Sequence, residues 1–436
     1  GNSHYTSTFA ANIAQGDAWQ LAYDADNRYV YFGKSNSWAD GSGNYDETTF
    51  GNAQAHATQP TAGVPQLFVL CTPYSSASAV SYQFDINFGQ RAFAHTPPTG
   101  YQTLCTANLP EPTIKKGSDH FNTVLYEGNA TDDRAITGVG FQPDLVWIKN
   151  RDQTDWHNVY DSVRGAGKRI SPSPTLAAGL VEYDGSASHM KSFNADGFTL
   201  GTDSNTNANS ESYVAWCWHM PTAFSNDASA TSVGTMDSDG KINQTAGLSI
   251  QKWVSAVGGT FAHGLGVQGG VLLQKNRETE DNWGFQFDIA DGSWDYMFLD
   301  TTAASGGTTQ YITSTTSKNS GGTNGDDNIA YTFSQVEGFS KFGSYIGNGN
   351  ADGTFVYTGF KPAWVMTKRT DTTNSWMMID NKRNTYNVLN LGLYADDNQV
   401  EHSAVRADFL SNGFKARASL NELNANGGTY IYMAFA

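Results

Sequence analysis

The sequence predicts an all-β protein assembled as several tandem β-sandwich domains, and three observations carry that prediction. Glycine is abundant (45 residues), aromatic residues make up 13% of the chain, and only 16% of residues are charged. Gly, Asn, Thr and Ser disfavour helix interiors, whereas aromatic and β-branched residues suit strands. The apolar residues fall in short alternating or continuous runs bounded by turn residues, the pattern of sandwich strands. Finally, one motif recurs with fixed internal spacing, which marks a duplicated unit.

Taken in order, residues 17–24 and 28–34 read as two strands around an Ala25-Asp26-Asn27 turn. Residues 66–71 form a continuous apolar run and read as a buried strand, and residues 80–88 alternate as a half-exposed strand ending at Gly89. Pro97, Pro98, Pro110 and Pro112 stiffen an extended connector. Three copies of one pattern follow. GFQPDLVWIK at 140–149 precedes Trp156, Asp161 and Arg164. GFKPAWVMTK at 359–368 precedes Trp376, Asp380 and Arg383. An eroded copy, GVQGGVLLQK at 266–275, precedes Trp283 and Asp288. In each, a lysine stands nine positions after a glycine. Strands close the copies at 212–218, 328–333 and 429–435. Residues 223–244, rich in Ser, Thr, Asp, Ala and Gly, read as a linker or long loop.

The predicted organisation is therefore a β-sandwich portion at 1–95, a proline-rich linker at 96–118 and a first repeat at 119–222. A linker at 223–245, a diverged repeat at 246–336 and a third repeat at 337–436 complete a multidomain rod. A net charge of −16 argues against a surface for nucleic acid or anionic lipid. No apolar run approaches the roughly 20 residues needed to span a bilayer, so no membrane insertion is expected. Cys71, Cys105 and Cys217, odd in number and far apart, read as small buried apolar residues rather than a disulfide framework.

Two stretches resemble known families. GDAWQLAYDADNRYVYFGKSNSWADG and the segment ending NFGQRAFAHTPPTGY are similar to the C-terminal half of a SPRY domain. The resemblance implies a bent, SPRY-like or jelly-roll sandwich that binds partners through loops and is not an enzyme. Its opening strands fall outside the chain, which is expected to be a fragment of a longer polypeptide. From residue 96 onward, VGFQPDLVWIKNRDQTDWHNVYDSVRGAGK, FNADGFTLGTDSNTNANSESYVAWCW and SKFGSYIGNGNADGTFVYTGFKPAWVMTKRTD resemble a domain of unknown function. That domain occurs, often behind a SPRY module, in predicted virion proteins of marine bacteriophages.

The repeated residues can be read as a ligand site. Lys149, Trp156, Asp161 and Arg164, with Lys368, Trp376, Asp380 and Arg383, supply charge, a stacking face and a bidentate donor suited to a sugar or carboxylate. The simpler reading is structural: the proline ends a loop, the strand enters the core, and Asp and Arg pair to fasten the next loop. Alternating Trp216, Trp218, Tyr430 and Tyr432 read as a core face. His157, His189, His219 and His263 lack metal-ligand spacing, and neither His-Glu-x-x-His nor Cys-x-x-Cys occurs. Asp24-Ala-Asp-Asn27 and Asp237-Ser-Asp-Gly240 lack the closing Glu of a calcium loop and read as Asx turns. No metal, cofactor or catalytic residue is expected.

The resemblance implies a non-enzymatic virion component, foremost a tail fibre or host-recognition adhesin contacting a bacterial surface glycan or protein. Its partners would be other virion proteins and further copies of itself, a trimer by analogy with fibres. A capsid decoration or neck protein is the rival within the particle, and a surface-polysaccharide depolymerase the rival of another class. Loops at 181–190, 301–325 and 394–402, where the copies differ most, are the expected recognition elements.

Overall fold

In the computed structural model, residues 17–24, 27, 29–40, 45–47, 57–58, 85–103, 108, 111–172, 182–185, 188–288, 293–307, 312–318 and 324–436 are described. The fold is all-β, and the described residues form several antiparallel sheets with only short helical turns between them. It divides into two compact units, residues 1–111 and 112–436.

In the first unit, Trp19–Asp24 and Tyr29–Lys34 pair antiparallel, with Trp19 opposite Lys34 and Asp24 opposite Tyr29. The Asp24 carboxylate accepts from the Asn27 backbone N–H at 3.0 Å and its side-chain amide at 2.8 Å, the Asx turn the sequence predicts. Ser35 (φ 51°) and Asn36 (φ 69°) then turn the chain into Ser37–Ala39. Two consecutive positive-φ residues match the twist of a tight hairpin. Residues 66–71 and 80–84 lie outside the described residues. Residues 85–88 are irregular rather than strand. There the Gln90 amide bonds the Ile86 carbonyl at 2.6 Å and the Asn87 amide bonds that of Arg91 at 3.1 Å. Such local bonds compete with a ladder.

In the second unit, each repeat builds an inner sheet with one strand order: opening, closing, middle, fourth. In repeat 1 these are Phe121–Glu127, Ser212–Trp218, Leu145–Asn150 and Asn158–Asp161. Repeat 2 uses Leu248–Val254, Asp327–Phe333, Val271–Asn276 and Gly284–Phe287. Repeat 3 uses Ser340–Ile346, Thr429–Phe435, Trp364–Arg369 and Met377–Asp380. The registers coincide. Leu145, Val271 and Trp364 stand opposite Trp218, Phe333 and Phe435 in turn.

Because side chains alternate across a strand, each closing strand serves two cores. Val214, Trp216 and Trp218 join a central cluster with Ile329, Tyr331 and Phe333 and with Ile431, Met433 and Phe435. The alternate residues Tyr213, Ala215 and Cys217 face the interior of repeat 1, as Tyr430, Tyr432 and Ala434 face that of repeat 3. The Phe435 ring lies 5.9 Å from both Trp218 and Phe333, so equivalent residues of all three copies meet at one point. Six tryptophans belong to this shared cluster, and full burial of one large apolar side chain is worth roughly 1.5–3 kcal/mol. Within residues 112–436 the expected string of separate sandwiches is thus replaced by one compact unit, because each inner sheet is apolar on both faces and needs its neighbours to cover the second.

A second layer backs each inner sheet. Repeat 1 uses Arg134–Thr137, Met190–Asn194 and Gly197–Leu200. Repeat 3 uses Phe355–Tyr357, Leu389–Tyr394, His402–Leu410 and Gly413–Ala416. The stretch read as a linker at 223–245 folds instead as a hairpin, Thr222–Asn226 with Ser238–Asn243, that extends the inner sheet of repeat 2. Its polar composition is tolerated because Asp227 caps a short turn, accepting from Ser229 and Ala230. Lys241 anchors the hairpin on Asp144 of repeat 1 at 2.7 Å.

Candidate functional site

Lys149, Lys275 and Lys368 occupy one position in the three copies and are buried. Lys275 Nζ donates to the carbonyls of Asn276 (2.8 Å) and Thr279 (3.0 Å). Lys149 does the same to Asn150 and Gln153, and Lys368 reaches Arg369 and, in repeat 2, Thr302. Burial lowers all three to about 8, partly offset by nearby carboxylates. Each ammonium therefore ties down the turn after the middle strand and presents nothing to solvent.

The Asp-x-x-Arg pairs are equally enclosed. Arg164 Nε meets Asp161 at 2.5 Å and Arg383 Nε meets Asp380 at 2.6 Å. Each pair faces the next repeat. Tyr331 donates to Asp161 at 2.7 Å, and Trp216 Nε1 donates to Asp380 at 3.2 Å. Beside them, Arg277 grips Glu182 through two bonds of 2.8 Å, and Arg151 grips Glu401 likewise. Burial pushes the Glu182 carboxyl up, but Arg277 and Arg164 bring it down to about 2. The backbone repeats the pattern: Glu182 N donates to Arg277 O at 2.9 Å, Glu401 N to Arg151 O at 2.9 Å, and Ser305 N to Thr370 O at 3.0 Å. Repeat 1 thus fastens to 2, 3 to 1, and 2 to 3, closing a ring.

Register corrects the motif in two places. Counting eight residues from each lysine reaches His157, Trp283 and Trp376, so His157, and not Trp156, is the counterpart of those tryptophans. All three cross a seam, to the carbonyls of Tyr394 (2.8 Å), Ser171 (3.0 Å) and Phe298 (3.0 Å). His157 Nδ1 accepts from Trp147 Nε1 at 2.8 Å, and burial holds its pKa well below the usual range. Trp156 is half-buried beside it. Counting twelve reaches Asp161, Phe287 and Asp380, so Asp288 is one step off the latch position. By the same equivalence Met433 holds the place of Tyr331 and Trp216, and both Phe287 and Met433 lie in the shared apolar cluster. Repeat 2 has lost its ion pair together with the donor that would have met it.

The eight residues read as a possible ligand site are therefore not gathered into one site. The pair Asp161–Arg164 meets Tyr331 of repeat 2 and Asp380–Arg383 meets Trp216 of repeat 1, whereas Lys368 and Trp376 reach Thr302 and Phe298 of repeat 2. Seven of them are buried, and Trp156 alone is partly open. The loops at 181–190, 301–325 and 394–402 supply Glu182, Ser305 and Glu401 to the seams, a role that spacing along the chain did not reveal. Parts of the first two loops lie outside the described residues. Trp216, Trp218, Tyr430 and Tyr432 are buried as predicted, on opposite faces of equivalent strands. Cys217 is a buried free thiol, and Cys71 and Cys105 lie outside the described residues.

An open groove of about 450 Å³ remains on repeat 2, lined by Met236, Asp237, Lys252, Trp253, Arg277 and Asp327. Its charges largely serve the fold: Arg277 holds Glu182 and Asp327, and Asp237 accepts from Ala228 N at 2.8 Å. Among the described residues, no group of three His, Cys, Asp or Glu side chains is placed to hold a metal ion.

The fold and its seams define the class of protein: an all-β body in which three diverged copies of one unit close around a shared core. The chain belongs to the family described as Domain of unknown function (DUF7483), which matches residues 116–436. No curated protein and no solved structure matches it.

Proposed function

We propose that this chain is a non-enzymatic structural component of a bacteriophage virion, acting as a host-recognition adhesin or tail-fibre element. One observation carries the reading: the repeated lysines tie down turns within the copies and the two Asp–Arg pairs join neighbouring copies, so the repeated polar residues serve the fold and leave the outer faces to vary. Rigid scaffolds that present variable surfaces are suited to recognition. The resemblance of the first 95 residues to a SPRY half-domain, and of the repeats to phage virion proteins, supports the same reading.

Compactness favours a terminal knob or a capsid decoration over a fibre shaft, since the three copies add little length. A receptor of glycan or protein nature and other virion proteins are the proposed partners. The trimer expected by analogy is tested by light scattering on the purified chain. Imaging of intact virions with the chain labelled is the decisive experiment: labelling at the tail tip supports the adhesin, labelling over the capsid the decoration protein. Absence from the particle refutes both. Release of oligosaccharide by the purified chain would establish the depolymerase instead.

A further inference from the structure

Repeats 1 and 3 build their second layers in the same register but dress the outer faces differently. In repeat 1, Thr137 stands opposite Gly197 and Ala135 opposite Thr199. In repeat 3, Tyr357 stands opposite Gly413 and Phe355 opposite Lys415. The intervening Ile136 and Val356 point into their own cores. In both copies a Cβ on the glycine would fall 2.0 Å from the carbonyl oxygen of that inward residue. The frame is the same, and repeat 1 shows that it is satisfied by Ala135 and Thr137. Repeat 3 instead leaves Phe355 43% and Tyr357 57% exposed. Aromatic surface left in water forgoes stabilisation, so packing does not explain these two rings.

Alternate residues of a strand project on one side, about 7 Å apart, so the rings stand next to each other. Phe355 leans across Gly413, its Cε2 only 3.1 Å from where a Cβ there would sit, over flat backbone. Lys415 pairs with Asp352 and stands opposite Asp408, which pairs with Arg417. These charges cancel, so the face does not select a charged occupant. The two rings expose roughly 200 Å², far below the about 800 Å² per partner of a stable protein interface. A small, neutral ligand with an apolar face and a polar rim fits both facts.

We propose that this face binds a neutral saccharide, with pyranose C–H faces lying on Phe355 and Tyr357 and hydroxyls bonded by Lys415, Asp352 and the Tyr357 hydroxyl. The proposal rests on the host-recognition reading and names the class and place of its receptor. The test applies the full chain to a printed array of neutral and acidic bacterial surface polysaccharides. The comparison protein carries Phe355→Ala and Tyr357→Thr, the residues of repeat 1, which the frame accommodates. The chain is expected to retain a subset of the neutral polysaccharides. The double variant should bind them about tenfold or more weakly at unchanged melting temperature, and Phe355→Tyr should keep binding. Wild-type protein that holds no neutral polysaccharide overturns the proposal, as does a double variant that binds equally well. Loss of self-association in the variant, with sugar binding intact, assigns the face to a second copy and also overturns it. The virion reading is judged separately by imaging, so a chain absent from particles that still binds sugar through these rings sinks that reading alone.

Discussion

Replacing Arg383 with alanine removes the cation from a pair in which neither side chain reaches solvent. Asp380 would keep its bonds from Arg383 N (2.8 Å), Lys382 N (3.0 Å) and Trp216 Nε1 (3.2 Å) but would lose its counter-charge. Stranding a buried carboxylate in this way costs about 3–5 kcal/mol. For a body of this size that lowers the melting temperature by roughly 6–10 °C, at about 2 °C per kcal/mol. The third seam supplies the control, since Phe287 and Met433 hold the corresponding positions there, and counting three residues on from Phe287, as from Asp380 to Arg383, reaches an alanine in the sequence. Asp380→Phe, Arg383→Ala and Trp216→Met combined should recover most of the loss, because apolar replacement of a buried pair is often neutral. The assay is the urea midpoint of the three proteins. An Arg383→Ala protein within about 1 kcal/mol of wild type contradicts the stranded-charge argument. A combined variant no better than the single one refutes the equivalence of the seams.

Further outcomes are expected. Burial raises the Asp300 carboxyl from 3.8 to about 6, so the unfolded chain gives up its proton first as pH rises. Its contribution is present below pH 4 and lost by about pH 6, at most about 3 kcal/mol at 1.4 per unit. Asp300→Asn should flatten the stability profile across that window in denaturation at stepped pH, and an unchanged slope refutes the assignment. The buried lysines act in the other sense. With folded values near 8 against 10.5 unfolded, the unfolded chain holds more protons between them, so stability rises from pH 8 toward 10. Lys275→Met should reduce that rise, read from the same titration. Gly117 packs so closely on Ala436 that an added Cβ would come within 2.6 Å of its carbonyl oxygen. Residues 112–436, rejoined there and opened at exposed Ser232, should fold with a melting temperature within a few degrees of the parent, whereas aggregation on expression would count against a closed ring.

The strands of the repeats were legible because short apolar runs between turn residues have few other readings. The three lysines were legible for a related reason: a fixed distance from a glycine survives divergence when both ends of one strand must stay in register. Trp156 misled because an aromatic residue lies next to the true counterpart, and counting from Lys149 to a tryptophan gave seven where register demands eight. The hairpin at 222–243 was hidden by composition, since Ser, Asp and Gly describe a loop unless Lys241 is known to reach Asp144. Glu182 and Glu401 carried no local signal at all. Their partners, Arg277 and Arg151, lie 95 and 250 residues away.

By itself the sequence determined the all-β class and the recurring motif, and it left the repeated lysine, aspartate and arginine open between a ligand site and a structural role. The class and the motif each follow from periodicity or spacing within one strand and its adjoining turn. Only the tertiary structure decided that the copies share one core rather than string out. A closing strand that is apolar on both faces is compatible with a buried single sandwich and with a ring, and the choice depends on what covers the second face. Here equivalent faces cover one another, and Trp218, Phe333 and Phe435 meet where three copies of the same side-chain position converge.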